Sequence, residues 1–182
     1  MIEPVEYVAH IIAQVVHRDH KYGELDYIEH IYKVVNNVKS VEQNSTIIAA
    51  AYLHDTIEDG NVSYSFLKKL IGEEVTNIVF RVTDERGNNR REKHEKTYKP
   101  KIQNHYGPTI IKLSDRLANI EANTNHQKML MYIKEHKYFI ENISPEFDVI
   151  KEKKWTVGQI TKITQLINKL NETVEGYSGI KK

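Results

Sequence analysis

Apolar residues recur along this chain at helical spacing, and no stretch sustains the alternation that a half-buried strand requires. Val5, Val8, Ile12, Val15 and Val16 fall on one side of a helix over about 4–18, and Ile28, Ile31, Val35 and Val38 do the same over about 27–39. The segment between them, His17 to Asp26, is polar with one Gly23 and reads as a loop. Ser45 is placed to cap a third helix whose run Ile47-Ile48-Ala49-Ala50-Ala51-Tyr52-Leu53 is apolar on every side. Such a helix belongs in the middle of a bundle, and its alanines let neighbours approach closely.

Ser63 to Ile71 predicts a short helix ended by Gly72, followed by one from Glu73 to about Val82 that buries Val75, Ile78, Val79 and Val82. Arg81 to Lys101 changes character, with eight Lys or Arg against four Asp or Glu, and reads either as a solvated helix or as a mobile lid. Gly107-Pro108 opens a second strongly apolar helix carrying Ile110, Ile111, Leu113, Leu117 and Ile120. Met129 to about Ile143 continues the bundle. Thr156 and Gln159 then form a capping box, with Trp155 stapled on Ile160, ahead of a last helix bearing Ile163, Leu166, Ile167, Leu170 and Val174. The pattern therefore predicts an all-α helical bundle forming one domain over 1–182. Its core spans about 5–145, a C-terminal packing helix about 156–175, and a frayed tail 176–182.

Composition narrows the chemistry. With 182 residues the chain can bury one substantial core. It has no cysteine, which excludes disulfides, a thiolate nucleophile and cysteine-ligated metal. A formal net charge of +1 gives no global attraction to nucleic acid or anionic lipid. No apolar run approaches the roughly 20 residues of a spanning helix, and Met1-Ile2-Glu3-Pro4 lacks the features of a signal peptide, so a cytoplasmic location is expected. Oligomeric state is not legible.

His54-Asp55-Thr56-Ile57-Glu58-Asp59 ends the apolar third helix with one imidazole and three carboxylates in six residues. If the helix continued this far, Glu58 would share a face with His54 and Asp55. Three carboxylates so close repel one another unless a cation neutralises them. Two other apolar helices each supply a ligand, His30 and Asp115, and the carboxylate of Asp115 needs a partner on so apolar a surface. Convergence of His30, His54, Asp55 and Asp115 would make a site for manganese, with iron or zinc as alternatives. Glu58 and Asp59 follow at once, placed to orient a water and take its proton. His94, His17 and the remaining histidines show no ligand spacing and read as surface or loop residues, while Tyr22 is the tyrosine best placed to stack on a purine.

Tyr27-Ile28-Glu29-His30, Ala50-Ala51-Tyr52-Leu53-His54-Asp55-Thr56-Ile57-Glu58-Asp59, Val82-Thr83-Asp84 and Lys112-Leu113-Ser114-Asp115-Arg116-Leu117-Ala118-Asn119 together resemble the HD superfamily of metal-dependent phosphohydrolases. Within it the likeness is to the hydrolase domain of RelA/SpoT-type proteins and the free-standing small alarmone hydrolases. That resemblance implies removal of the 3′-pyrophosphate from guanosine tetra- or pentaphosphate or a related purine alarmone. It implies one manganese ion on His30, His54, Asp55 and Asp115, catalysis by Glu58 and Asp59, and contact of Asn119 with the nucleotide. The chain departs from the family before His30. Counting back without gaps puts Lys21 where the family has a substrate-binding arginine, and a longer loop would put Arg18 there; lysine lacks the two-pronged phosphate contact of arginine. Ala122 stands where a family threonine is usual, with Thr124 nearby. Two other readings use the same residues: a nucleotide phosphomonoesterase acting on the 2′-phosphate of NADPH or a 5′-nucleotide, and a non-catalytic nucleotide-sensing module.

Overall fold

The computed structural model describes residues 3–122, 125–146 and 154–179, and within them nearly every predicted helix is present. In chain order they are α1 (Pro4–Val16), α2 (Tyr27–Lys39), α3 (Ser45–Tyr52), α4 (Tyr64–Ile71), α5 (Glu73–Val82), α6 (Arg90–Thr97), α7 (Tyr106–Glu121), α8 (His126–Ile143) and α9 (Val157–Gly179). A π-helical turn, Tyr98–Ile102, follows α6. The loop before α2 holds a minimal antiparallel hairpin, β1 (Lys21–Tyr22) and β2 (Leu25–Asp26), in which Lys21 pairs with Asp26 and Tyr22 with Leu25. Gly23 turns it with φ of +62°, a conformation glycine adopts without steric cost.

The apolar α3 takes the centre, packed on α1, α2, α5 and α7. Ala49, Ala50 and Ala51 are fully buried, as are Ile110, Ile111, Leu117 and Ile120 of α7. α9 lies on α7 and α8, closing the other side of the bundle. Its capping box forms as expected: Thr156 N–H donates to Gln159 Oε1 at 2.9 Å, and Gln159 N–H to Thr156 Oγ1 at 3.2 Å.

Several boundaries differ from the sequence reading. α1 stops at Val16 rather than 18, with the His17 N–H closing on the Ala13 carbonyl. The cap of α3 is Asn44, whose Oδ1 accepts from Thr46 and Ile47 N–H; Ser45 is the first helical residue. The expected frayed tail 176–182 is helical as far as Gly179, because Val174 is buried and Tyr177 packs on the core; 180–182, like Thr124, lie outside the described residues.

The most consequential difference is that α3 ends at Tyr52, before His54. Side chains take the carbonyls that a continuing helix would need: His54 Nδ1 bonds Ala51 O at 2.9 Å and Thr56 Oγ1 donates to Leu53 O at 2.6 Å. Residues 53–60 thus form a series of turns, tied off where Asp59 and Gly60 N–H reach the Asp55 carbonyl. At Gly60 a Cβ would stand 2.6 Å from the Thr56 carbonyl oxygen and 2.2 Å from Val16 Cγ1. Gly60→Ala is therefore expected to lower stability by roughly 1–3 kcal/mol, as overpacking does. Urea unfolding with an unchanged m-value is the check, and a midpoint equal to that of the parent would refute the close approach.

Candidate metal centre

Three elements deliver the predicted ligands to one place. His30 comes from the first turn of α2, His54 and Asp55 from the turns after α3, and Asp115 from the middle of α7. The ligand atoms of His30, His54 and Asp115 all lie within 4.8 Å of one another, and both imidazoles are buried. Asp55 joins them, its Oδ2 standing 2.9 Å from His54 Nε2 and 3.9 Å from His30 Nε2; Asp115 Oδ1 is 3.3 Å from His30 Nε2.

The protonation pattern suits a cation. Because His54 spends its Nδ1 hydrogen on the Ala51 carbonyl, the neutral ring presents the Nε2 lone pair to the carboxylates. Nε2 is buried and close to Asp55, yet it makes no well-aligned hydrogen bond. A lone pair facing two carboxylates requires positive charge between them, either a proton or a metal ion. Burial opposes the proton, but Asp55 and Asp115 outweigh burial and raise His54 to about 9. Burial would likewise raise Asp55; the charges of His54 and His30 and the Tyr27 hydroxyl instead hold it well below the usual carboxylate range. The donor set, two imidazoles and two carboxylates, fits a divalent ion of the manganese, iron and zinc group.

Around this cluster lies a cavity of about 210 Å³ lined by both carboxylates and cations. Asp55, Glu58, Asp59, Asp84 and Asp115 line it together with Arg90, Lys112 and Arg116, and α7 alone supplies Lys112, Asp115 and Arg116. Glu58 is not on a helix with His54. It reaches across instead, its Oε2 accepting from the Asp84 N–H at 3.0 Å. Lys112 ties into the same link, with Nζ 3.3 Å from both Asp84 Oδ1 and the Val82 carbonyl. Glu58 keeps solvent contact at the cavity mouth, but the surrounding protein and the carboxylates of Asp84 and Asp55 push its carboxyl above the ordinary range against the pull of Lys112. Asp59 accepts from the Tyr27 hydroxyl at 2.9 Å, and the same hydroxyl lies 2.7 Å from Asp55 Oδ2.

Asn119 lines the cavity, one turn beyond Asp115 on α7. The predicted anion-binding pair from the loop is not brought to the cavity. Lys21 pairs with Asp26 at 2.5 Å and Arg18 with Asp19 at 3.2 Å, all four side chains being mostly solvent-exposed. The hairpin explains this: pairing of β1 with β2 sets Lys21 opposite Asp26 and turns the next residue, Tyr22, to the inner face. Tyr22 lies face to face with His30 at 4.7 Å, so that ring face is already occupied.

Sequence reasoning did not fix the cations of the cavity, and left Arg90 in a stretch read as a solvated helix or a mobile lid. His94, read as a surface residue, is buried and stacked on Tyr98 at 4.4 Å; burial, aided by Arg90, pushes it down to about 3. His17 is buried too, stacked on Tyr27 at 4.8 Å. Arg116 lies over the rings of Phe139 and Tyr132, and its Nη1 has no hydrogen-bond partner among the described residues, only a 3.5 Å ion pair with Glu135. The available signal was spacing: Arg90 with His94, and Lys112 with Arg116, are each four residues apart on a helix and so share a face.

The family model described as HD domain matches residues 5–132, a span that contains all of these motifs. The chain belongs to the HD domain family. Among its relatives is the Drosophila melanogaster guanosine-3′,5′-bis(diphosphate) 3′-pyrophosphohydrolase MESH1, 31% identical over 100 residues that cover 53% of this chain and 55% of the fly protein. The Xenopus tropicalis protein of the same name is 30% identical over 83 residues, 42% of this chain and 43% of its own length. The chain thus aligns with about half the length of these curated relatives. A solved structure of a metazoan SpoT ortholog, described as hydrolysing ppGpp, superposes with a TM-score of 0.68 over 91% of this chain and 95% of that one, at 20% identity. This HD protein therefore shares their helical fold as well as the family signature.

Glu58 yields a test of the site that needs no substrate. Its carboxyl is harder to ionise folded than unfolded, so stability is lost as pH rises from the ordinary value of 4.5 through the raised one. Glu58→Gln is accordingly expected to melt like the parent below pH 4 and at a higher temperature at pH 7, both measured metal-free. A lower melting temperature at pH 7 would mean that the bond to Asp84 outweighs the cost of the charge.

Proposed function

We propose that this HD protein is a metal-dependent 3′-pyrophosphohydrolase of guanosine tetra- or pentaphosphate or a related purine alarmone. The observation that carries the reading is that one cavity joins a cation-demanding cluster and two further carboxylates to three cations, Arg90, Lys112 and the under-bonded Arg116. A substrate carrying several phosphates matches both the cluster and the cations. The curated relatives whose names state this activity support the choice of substrate.

In this reading His30, His54, Asp55 and Asp115 hold the ion, manganese by preference. The bound ion supplies Lewis acidity toward a phosphoryl oxygen and toward water. Glu58 takes a proton from the attacking water, a role suited to a carboxyl raised toward the working pH. Asp59, fixed by the Tyr27 hydroxyl, orients that water. The water oxygen bonds the phosphorus attached to the ribose 3′ oxygen; the bond to that oxygen breaks, the proton held by Glu58 is passed to it so that it leaves as a hydroxyl, and pyrophosphate departs. Arg90, Lys112 and Arg116 neutralise the phosphates, and the buried Arg116 acts more strongly here than it would in water. His94, held neutral, adds a polar contact without further charge.

The test is product identity. Purified protein with Mn²⁺ is expected to release pyrophosphate from guanosine 3′,5′-bis(diphosphate), and Glu58→Gln to lower kcat by about 10²- to 10⁴-fold, the usual contribution of a general base. Orthophosphate released from NADPH or a 5′-nucleotide would favour the phosphomonoesterase reading. Tight binding of nucleotide with no turnover would favour a sensor.

A further inference from the structure

The two imidazoles of the cluster are held in different ways. His54 is oriented by a hydrogen bond from Nδ1 to the Ala51 carbonyl, the usual means of fixing a ligating histidine. His30 has no such anchor: its Nδ1 is buried and makes no hydrogen bond among the described residues. What lies against the ring instead is Tyr22, parallel within 16° at a centroid distance of 4.7 Å, with Tyr27 meeting it edge-on at 5.6 Å.

The Tyr22 hydroxyl continues beyond His30. It donates to Asn119 Oδ1 at 2.7 Å, and the Asn119 Nδ2 donates onward to Asp115 Oδ1 at 2.6 Å and to the Asp115 carbonyl at 3.0 Å. The amide orientation follows from its partners, because only the NH₂ end can face the Asp115 carboxylate, leaving the oxygen for Tyr22. One side chain on a short hairpin thus touches one ligand by its ring face and reaches a second through an amide.

We propose that Tyr22 is a positioning residue of the metal centre, holding His30 by stacking and Asp115 through Asn119. The inference rests on the metal-ligand reading above. It also gives Asn119 a role in the free protein that spends both ends of its amide within the site. The hairpin is what makes the contact available: the turn at Gly23 folds Leu25 back opposite Tyr22, and the register puts Tyr22 on the face toward α7.

The experiment is Mn²⁺ titration calorimetry on metal-stripped protein, with melting temperatures of the metal-free forms measured alongside. Tyr22→Ala, which removes ring and hydroxyl, is expected to weaken Mn²⁺ by about 10- to 100-fold, the range for losing an outer-shell partner. Tyr22→Phe keeps the ring and is expected to lose less, with little change in the metal-free melting temperature. Tyr22→Phe made in an Asn119→Ala background should add no further loss, since the two act through one chain of bonds. Should Tyr22→Ala fail to fold, the Phe and double variants still decide. Parental affinity in Tyr22→Phe and Tyr22→Ala, or additive losses in the double variant, would overturn the role of Tyr22 while leaving the metal site standing. Absence of Mn²⁺ binding by the parent protein would overturn the metal reading and this inference with it.

Discussion

Two carboxylates and two imidazoles share one largely enclosed volume beside α3, where charge is balanced only by protons on the rings or by a cation. The rest of the fold is arranged around that demand. α3 can sit at the centre because Ala49, Ala50 and Ala51 let α1, α2, α5 and α7 approach, and its early end delivers His54 and Asp55 into the gap between α2 and α7. Removing any one partner would leave a charge without compensation in a poorly solvated place.

A second line of contacts links the cluster to the cations of the cavity. Glu58 accepts from the Asp84 backbone, Asp84 pairs with Lys112, and Lys112 lies one turn before Asp115 on α7. Burial opposes the Lys112 charge, but Asp84 and Asp115 hold its ammonium firmly protonated. The cavity therefore keeps its cationic side fixed by its own carboxylates, and positive charge there does not depend on bound phosphate. Such preorganisation is what lets a site stabilise transferred phosphoryl charge without rearranging.

Much of this was legible from residue order. Helix periodicity located the bundle, and the apolar circumference of residues 47–53 and 110–120 placed those helices inside. His30, His54-Asp55 and Asp115 were readable because each is a polar exception on an apolar helix. What remained hidden depended on contacts far apart in sequence or on competition for single hydrogen bonds. The early end of α3 turns on His54 and Thr56 capturing carbonyls, which propensity does not register. The hairpin that sends Tyr22 inward and Lys21 outward is two residues per strand, too short to show alternation. His94 looked like a surface residue because its burial comes partly from stacking on Tyr98, and Arg116 is covered by Tyr132 and Phe139, on segments whose packing no local pattern announces.

The π-helical turn at Tyr98–Ile102 closes with the Gln103 N–H on the Tyr98 carbonyl, five residues back, and it contains Pro100, which has no N–H to offer an ordinary helix. One additional residue per turn resets the phase between α6 and α7. Each residue of an α-helix advances about 100° around its axis, so a single deletion there would rotate α6 by that angle relative to the core. Arg90 and His94, which line the cavity from α6, would turn away from it. The length of this turn thus acts as a phase setting for the part of the cavity that α6 lines, separable from the part supplied by α2, α7 and the turns after α3.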